Sequence, residues 1–251
     1  MRPDTSRVDQ AAARSRATEL ELKSFSYIVS HDLAASLRHV TEFSRLLLDG
    51  LSDDLTPLQQ DHATHVRRAA DNCQLMMEQL LVFSRIQQNP LQTMHQDAST
   101  MVEFSLLPLK TLPGAIGAEF DISPLGDVFA DPDLLSLAFH HLLDNAIKFR
   151  RPGQPPRVTV RPAHDDTTFR IRVTDNGIGV PELYREKAFR MFQRLNAEDA
   201  YPGAGAGLAI CRRIARLHGG DVAFVDCEHG ACVEISLPRA PPPRHKPKAL
   251  K

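Results

Sequence analysis

The sequence predicts two folds in series: a helical hairpin over residues 15–90 and a two-layer α/β sandwich over residues 97–238. Three observations carry this. Apolar residues before Asn89-Pro90 recur every three or four positions, the period of an amphipathic helix. After Asn89-Pro90, glycine and proline become common. In that second half, short alternating segments are interleaved with helical ones, which implies a mixed sheet covered by helices.

The first helix is expected from about Ala11 to Asp49, with Leu20, Phe25, Ile28, Leu33, Leu37, Val40, Phe43, Leu47 and Leu51 as its stripe. Gly50 is expected to end it in the left-handed conformation that glycine tolerates. The second helix is expected after the cap Thr56-Pro57. Its positions His62, Val66, Ala69, Cys73, Met76, Leu80 and Phe83 alternate steps of 4 and 3, a heptad seam. The short connection makes the two helices antiparallel neighbours. Two helices alone leave such stripes wet, so a homodimer forming a four-helix bundle is expected. Docking onto the second half of the chain is the alternative.

In the second half, residues 101–112 read as helix, 119–122 and 127–130 as strands, and 131–149 as a helix capped by Asp131 with Pro132 at its first position. Residues 157–161 and 168–174 read as strands around a polar turn containing His164-Asp165-Asp166. Residues 207–217 read as helix, and 221–225 with 231–237 as a hairpin. Residues 1–14 read as an N-terminal polar segment, and 239–251 as a proline-rich, basic tail expected to be disordered.

Composition narrows the function. Thirty basic and 31 acidic side chains give a formal charge of −1, against a dedicated nucleic-acid binder. The absence of tryptophan and 6% aromatics argue against a base-stacking surface. No apolar run approaches the roughly 18–20 residues that span a bilayer, so no membrane insertion is expected. The first sixteen residues lack the apolar core of a secretory signal. Cys73, Cys211, Cys227 and Cys232 form no CxxC pair, which suits reduced thiols and a cytoplasmic location.

Four short segments can carry chemistry. His31, between Ser30 and Asp32, lies near the rim of the first stripe. A neutral imidazole is nucleophilic near pH 7, and the adjacent Asp32 can take its ring proton. By itself, such a pair is usually just solvated. His141, Asn145 and Lys148 share one helix face, where an amide oxygen and a cation suit Mg²⁺ and triphosphate. An ordinary amphipathic helix would look the same. Asp175, Gly177 and Gly179 leave a strand, with a carboxylate able to accept an adenine amine and a turn that admits close approach. Gly203, Gly205 and Gly207 bare backbone N–H groups at a helix start, a setting for anions. Their spacing matches neither the P-loop nor the Rossmann fingerprint.

Together, in order, SHDL, HHLLDNAIKFR, DNGIGV, FRMFQRL and GAGAGLAICRRIARLHGG resemble the kinase core of two-component sensor histidine kinases, with their H, N, G1, F and G2 boxes. The segments FSYIVSHDLAASLR and YPGAGAGLAI resemble the phytochrome-like branch most. The resemblance covers about residues 15–238. It implies a dimerisation and phosphoacceptor hairpin followed by an ATP-binding domain of the GHKL (Bergerat) type. It implies His31 as phosphoacceptor and Asp32 as its acid–base partner. Asn145 is the implied Mg²⁺ ligand and Lys148 a phosphate contact. Asp175 is implied to bind adenine, with Gly177 and Gly179 shaping that wall. Phe189, Phe192 and Arg194 belong to the F box beside a lid over residues 195–202. Gly203, Gly205 and Gly207 are implied to offer N–H groups to phosphate. The implied cofactors are ATP and Mg²⁺, and the implied partner is a response regulator receiver domain.

Four positions depart from the family pattern. Ser36 replaces a common proline, His141 the first N-box asparagine, and Ala204 the G2 Ser/Thr. Ala35 stands where a Thr or Asn orients water in kinases with strong phosphatase activity, so little phosphatase activity is expected. No sensory domain is visible. A separate sensor protein, a fragment, or a phosphorelay component without its own sensor all accommodate this. The rival readings are a degenerate kinase acting as a dimeric, non-catalytic ATP- or partner-binding scaffold, and another ATPase of the same nucleotide-binding fold.

Overall fold

The computed structural model describes residues 36–51, 55–86, 88, 90–163, 168–195 and 201–239. It divides into two compact units between Asn89 and Pro90.

The first unit is a pair of helices. The described part of α1 spans residues 36–50, and α2 spans Pro57–Arg85. A capping box opens α2. The Thr56 hydroxyl accepts from the Gln59 N–H, and the Gln59 side chain accepts from the Thr56 N–H, satisfying two donors that a helix start leaves orphaned. The Thr41 hydroxyl reaches the Ala70 carbonyl at 3.5 Å, and Arg67 pairs with Asp49 at 2.5 Å, which makes the helices antiparallel. Leu37, Thr41, Ser44 and Leu48 are half-buried, whereas Val40, Phe43 and Leu47 are exposed, as are Val66 and Cys73 of α2. Gly50 is not left-handed but the last helical residue of α1. The reading of residues 11–35 as helix lies outside the described residues, as do His31, Asp32 and Ala35.

The second unit is the α/β sandwich. Its elements are β1 (Met94–Asp97), α3 (Ala98–Leu106), β2 (Glu119–Ile122), β3 (Asp127–Ala130), α4 (Pro132–Lys148), β4 (Arg157–Pro162), β5 (Thr168–Asp175), α5 (Glu182–Arg185), α6 (Gly207–Leu217), β6 (Asp221–Val225) and β7 (Cys232–Pro238). The main sheet has the order β2-β4-β5-β7-β6, with β2 and β4 parallel and the other neighbours antiparallel. β1 and β3 form a separate antiparallel pair.

Strand alternation builds the core. Phe169, Ile171 and Val173 of β5 are buried, while Arg170 and Arg172 point away and flank Glu234 of β7. Against that apolar face pack Leu135, Phe139, Leu142, Leu143 and Ile147 of α4, with Ile210 and Ile214 of α6. The two helix ends are stapled by a buried His218. Its Nδ1 donates to the Ile214 carbonyl (2.8 Å), and its Nε2 accepts the Asp131 N–H (2.9 Å). Asp131 in turn caps α4 by accepting from Leu134 N–H, as the Asp131-Pro132 pair predicts.

The helix predicted over 101–112 is displaced. Asp97 caps it at Ser99 and Thr100, so it begins at Ala98. It ends at Leu106: Leu107 is still helical (φ −51°, ψ −52°) and donates to the Glu103 carbonyl, but Pro108 has no N–H to continue the ladder. Short 3₁₀ turns at Leu109–Thr111 and Pro113–Ala115 follow. The polar turn at 164–167, residues 196–200 of the predicted lid, and the tail from residue 240 lie outside the described residues.

Phe139 is 1% exposed at the centre of α4. Phe139→Ala removes a ring from a packed core and should destabilise the chain by about 3–5 kcal/mol, as urea unfolding would measure. A loss under about 1 kcal/mol would show that α4 is not seated as described.

Candidate functional site

The apolar face of α4 is buried, and its other face carries His141, Asn145 and Lys148 in half-buried positions. The His141 ring lies against Gly207, the first residue of α6. A Cβ there would stand 3.3 Å from His141 Nδ1, so the absent side chain lets α6 start on top of the imidazole. His141 Nε2 is buried and has no hydrogen-bond partner among the described residues. Burial, with His140 and Lys148 nearby, pushes its pKa down to about 4.

Lys148 closes α4. Its ammonium stands 4.7 Å from the centroid of the Phe149 ring and beside Gly203, whose φ is +134°. Burial and the charge of Arg194 lower the Lys148 pKa, while Asp144 opposes them. A partly desolvated ammonium near a guanidinium makes this end of α4 a place for an anion.

The loop after β5 meets the same end. One oxygen of Asp175, Oδ1, accepts the N–H groups of Gly177 (2.8 Å) and Ala231 (3.1 Å). Among the described residues Oδ2 has no partner, so it remains able to accept from a ligand amine. Burial raises the Asp175 pKa, and the two N–H bonds oppose that rise. Gly177 is obligatory here, because a Cβ would meet the Phe149 carbonyl oxygen at 2.3 Å. That same oxygen accepts the Ile178 N–H (3.0 Å), and Arg151 Nε donates to the Gly177 carbonyl (3.0 Å). Gly179, at φ +73°, passes the Gly230 carbonyl closely too, where a Cβ would stand 2.6 Å from the oxygen.

The F-box segment borders the glycine-rich turn. Phe189 is buried against Phe224, with the Arg212 guanidinium 4.2 Å above its ring. Arg212 also forks onto Glu186 (2.8 and 2.9 Å) and reaches Asp221 (3.1 Å). Phe192 is the one non-glycine residue with positive φ (59°) among those described, a strained setting next to a site. The chain then places the Gln193 carbonyl where a Gly205 Cβ would be, 2.8 Å away, and Gly205 has φ +71°. Arg194 donates to the Tyr201 carbonyl (3.0 Å). Ala204 and Ala206 are buried, so the Ala204 methyl packs inward. No side chain caps α6, which leaves its first N–H groups open to an anion.

The structure thus gathers His141, Lys148, Arg194, Gly203, Gly205 and Gly207 around the start of α6, with Asn145 on the same α4 face. Asp175, Gly177 and Gly179 join them through Phe149. Arg151, Arg212, Glu186, Tyr201 and Gly230 escape the sequence reading, because their partners lie far away in the chain and leave no local pattern. The described residues hold no cluster of three His, Cys, Asp or Glu side chains able to bind a metal by themselves. A cation here would depend on an amide oxygen and on the ligand's own phosphates.

Residues 130–241 match the family described as histidine kinase-, DNA gyrase B-, and HSP90-like ATPase. The chain is 30% identical over 213 residues to phytochrome-like protein Cph1 of Synechocystis, covering 85% of this chain and 28% of that protein. It therefore spans under a third of that relative's length. A mycobacterial sensor histidine kinase, MprB, aligns at 30% identity and TM-score 0.50 over 59% of this chain and 99% of that one. Full-length ShkA in complex with AMPPNP aligns at 27% identity and TM-score 0.59, over 88% of this chain and 47% of that one.

The depressed His141 pKa fixes a pH dependence. The unfolded chain binds a proton near pH 6.5 and the folded one only near pH 4, so stability is fully present above 6.5 and falls as pH drops towards 4. Between pH 7 and pH 4, the unfolding free energy of the unmodified chain should fall by about 3 kcal/mol more than that of His141→Asn. Parallel pH profiles in urea titrations would contradict the burial of this ring.

Proposed function

Because the chain belongs to the sensor histidine kinases, with a GHKL-type ATPase domain, we propose that it autophosphorylates His31 with ATP and passes the phosphoryl group to a response regulator. The observation that carries this reading is the meeting of the polar face of α4 with the glycine-rich start of α6, beside a buried carboxylate. The similar ShkA is in complex with AMPPNP, which supports a nucleotide as occupant.

Each residue then has a task. Asp175 Oδ2 accepts the exocyclic amine of adenine, while Gly177 and Gly179 keep that wall free of side chains. Lys148, Arg194 and the N–H groups at Gly203, Gly205 and Gly207 hold the phosphates. Phe192 borders the same turn. The donor set fits one Mg²⁺ bound by the Asn145 amide oxygen and phosphate oxygens, and that ion would neutralise charge on the phosphates. One ring nitrogen of His31 attacks the γ-phosphorus, an N–P bond forms, and the bond to the ADP oxygen breaks. Asp32 takes the proton from the other ring nitrogen. A receiver-domain aspartate then displaces the imidazole. Catalysis is mainly positioning and charge stabilisation.

The hairpin is the dimerisation and phosphotransfer domain, over residues 15–90, and residues 97–238 are the catalytic domain. Exposure of Val40, Phe43, Leu47 and Val66 in the single chain supports a homodimeric four-helix bundle. No described helix is long and apolar enough to cross a membrane, and a cytoplasmic location is proposed on the family reading. The scaffold alternative is less favoured, since the departures at Ser36, His141 and Ala204 leave Asn145, Lys148, Asp175 and the three glycines in place.

Two measurements test this. Incubation with Mg²⁺ and γ-labelled ATP should give acid-labile, base-stable label, abolished in His31→Gln while ATP binding persists. Wild-type labelling in that variant would contradict His31. Asn145→Asp, which sets a negative charge against the phosphates, and Asp175→Asn, which removes the charged acceptor of the adenine amine, should each weaken Mg²⁺–ATP binding at least about ten-fold. Calorimetry showing unaltered affinity in both would refute the pocket.

A further inference from the structure

Tyr201 is half-buried and tied down at two points. Its hydroxyl donates to the Arg150 carbonyl (3.0 Å), just beyond the end of α4. Its own carbonyl accepts from Arg194 Nη2 (3.0 Å), at the end of the F box. Between these anchors its ring packs on Phe149, with centroids 5.1 Å apart and planes tilted by 52°. Phe149 is the C-cap of α4, at φ −83° and ψ 27°, where helical geometry no longer dictates the side-chain direction. Its ring is the surface on which the Lys148 ammonium rests, 4.7 Å from the centroid.

Lys148 needs such a support. A lysine amine sits on a flexible four-carbon stem, and holding it in one place costs rotamer entropy. Among the described residues no carboxylate lies within ion-pair distance of Lys148. The Asp144 charge acts on it only from beyond that distance, and the Phe149 ring face is its close contact beside Gly203. A ring at a helix end, with one fixed aromatic neighbour, keeps its orientation through that neighbour.

We propose that Tyr201 is a positioning residue for the triphosphate, acting through the Phe149 ring to hold the Lys148 ammonium at the glycine-rich turn. This rests on the reading of the site as a nucleotide pocket. The ring does the positioning, and the hydroxyl places the ring. Adenine, held at Asp175, is recognised independently of this chain of contacts.

The test is equilibrium binding of Mg²⁺–ATP and of adenosine to the full chain, to Tyr201→Ala, to Tyr201→Phe and to Lys148→Met with and without Tyr201→Ala. Tyr201→Ala should weaken ATP about ten-fold, the combined scale of one aromatic pair and one cation–π contact. Adenosine should change by less than about two-fold, and Tyr201→Phe should stay within about three-fold of wild type for ATP. In the Lys148→Met background, Tyr201→Ala should cost nothing further. Equal losses for ATP and adenosine, an undiminished loss in the Lys148→Met background, or unchanged ATP binding in Tyr201→Ala would each overturn the assignment. Should Tyr201→Ala not fold, Tyr201→Leu, which keeps apolar volume without the ring, is read in the same way. A wild-type chain that binds neither ligand would instead overturn the nucleotide reading itself.

Discussion

The site depends on the seating of α4. One helix must bury Leu135, Phe139, Leu142, Leu143 and Ile147 against the sheet, and its remaining face then has one direction left. His218 fixes its start by accepting the Asp131 N–H, and the Phe149 carbonyl fixes its end by accepting the Ile178 N–H. Between those two bonds, His141, Asn145 and Lys148 are carried to one edge of the core by apolar packing that involves none of them. Burial of this kind is worth about 1.5–3 kcal/mol per large side chain, so five of them together outweigh any single polar contact at the edge. The chemistry is borne by a helix that hydrophobic packing has already oriented.

The glycines follow from the same seating. Once the Phe149 carbonyl and the His141 ring are fixed, the DNGIG loop and the start of α6 must pass them at backbone distance. Gly177 cannot carry a Cβ against the Phe149 oxygen, nor Gly205 against the Gln193 oxygen. These residues are required by close approach within the protein before any ligand arrives. The bared N–H groups at the start of α6 come as a consequence of that packing.

Much of this was legible locally. Asp131-Pro132 announces α4, and Phe169, Ile171 and Val173 announce a half-buried strand, because caps and periodicity act over a few residues. β1 was not, since Met94–Asp97 is polar and mostly exposed, and its pairing with β3 spans about thirty residues. The early start of α3 was hidden because its cap, Asp97, sits in a polar stretch with no stripe around it. In α1, leucines occupy both faces. The pattern cannot tell Leu37 and Leu48, which turn inward, from Phe43 and Leu47, which do not. The glycine boxes were visible as a series, but what each glycine avoids was not. Gln193, Phe149 and Gly230 are neighbours only after folding.

The central claim is that a nucleotide joins the polar face of α4 to the start of α6 and to the loop after β5. Amide hydrogen exchange with and without Mg²⁺–ATP tests it most directly. The account predicts that peptides covering residues 141–149, 175–179 and 203–210 all gain protection at saturating nucleotide, while those of β1, β3 and α3 are unchanged. Protection confined to another part of the chain, or absent from the 203–210 peptide at saturation, would contradict it.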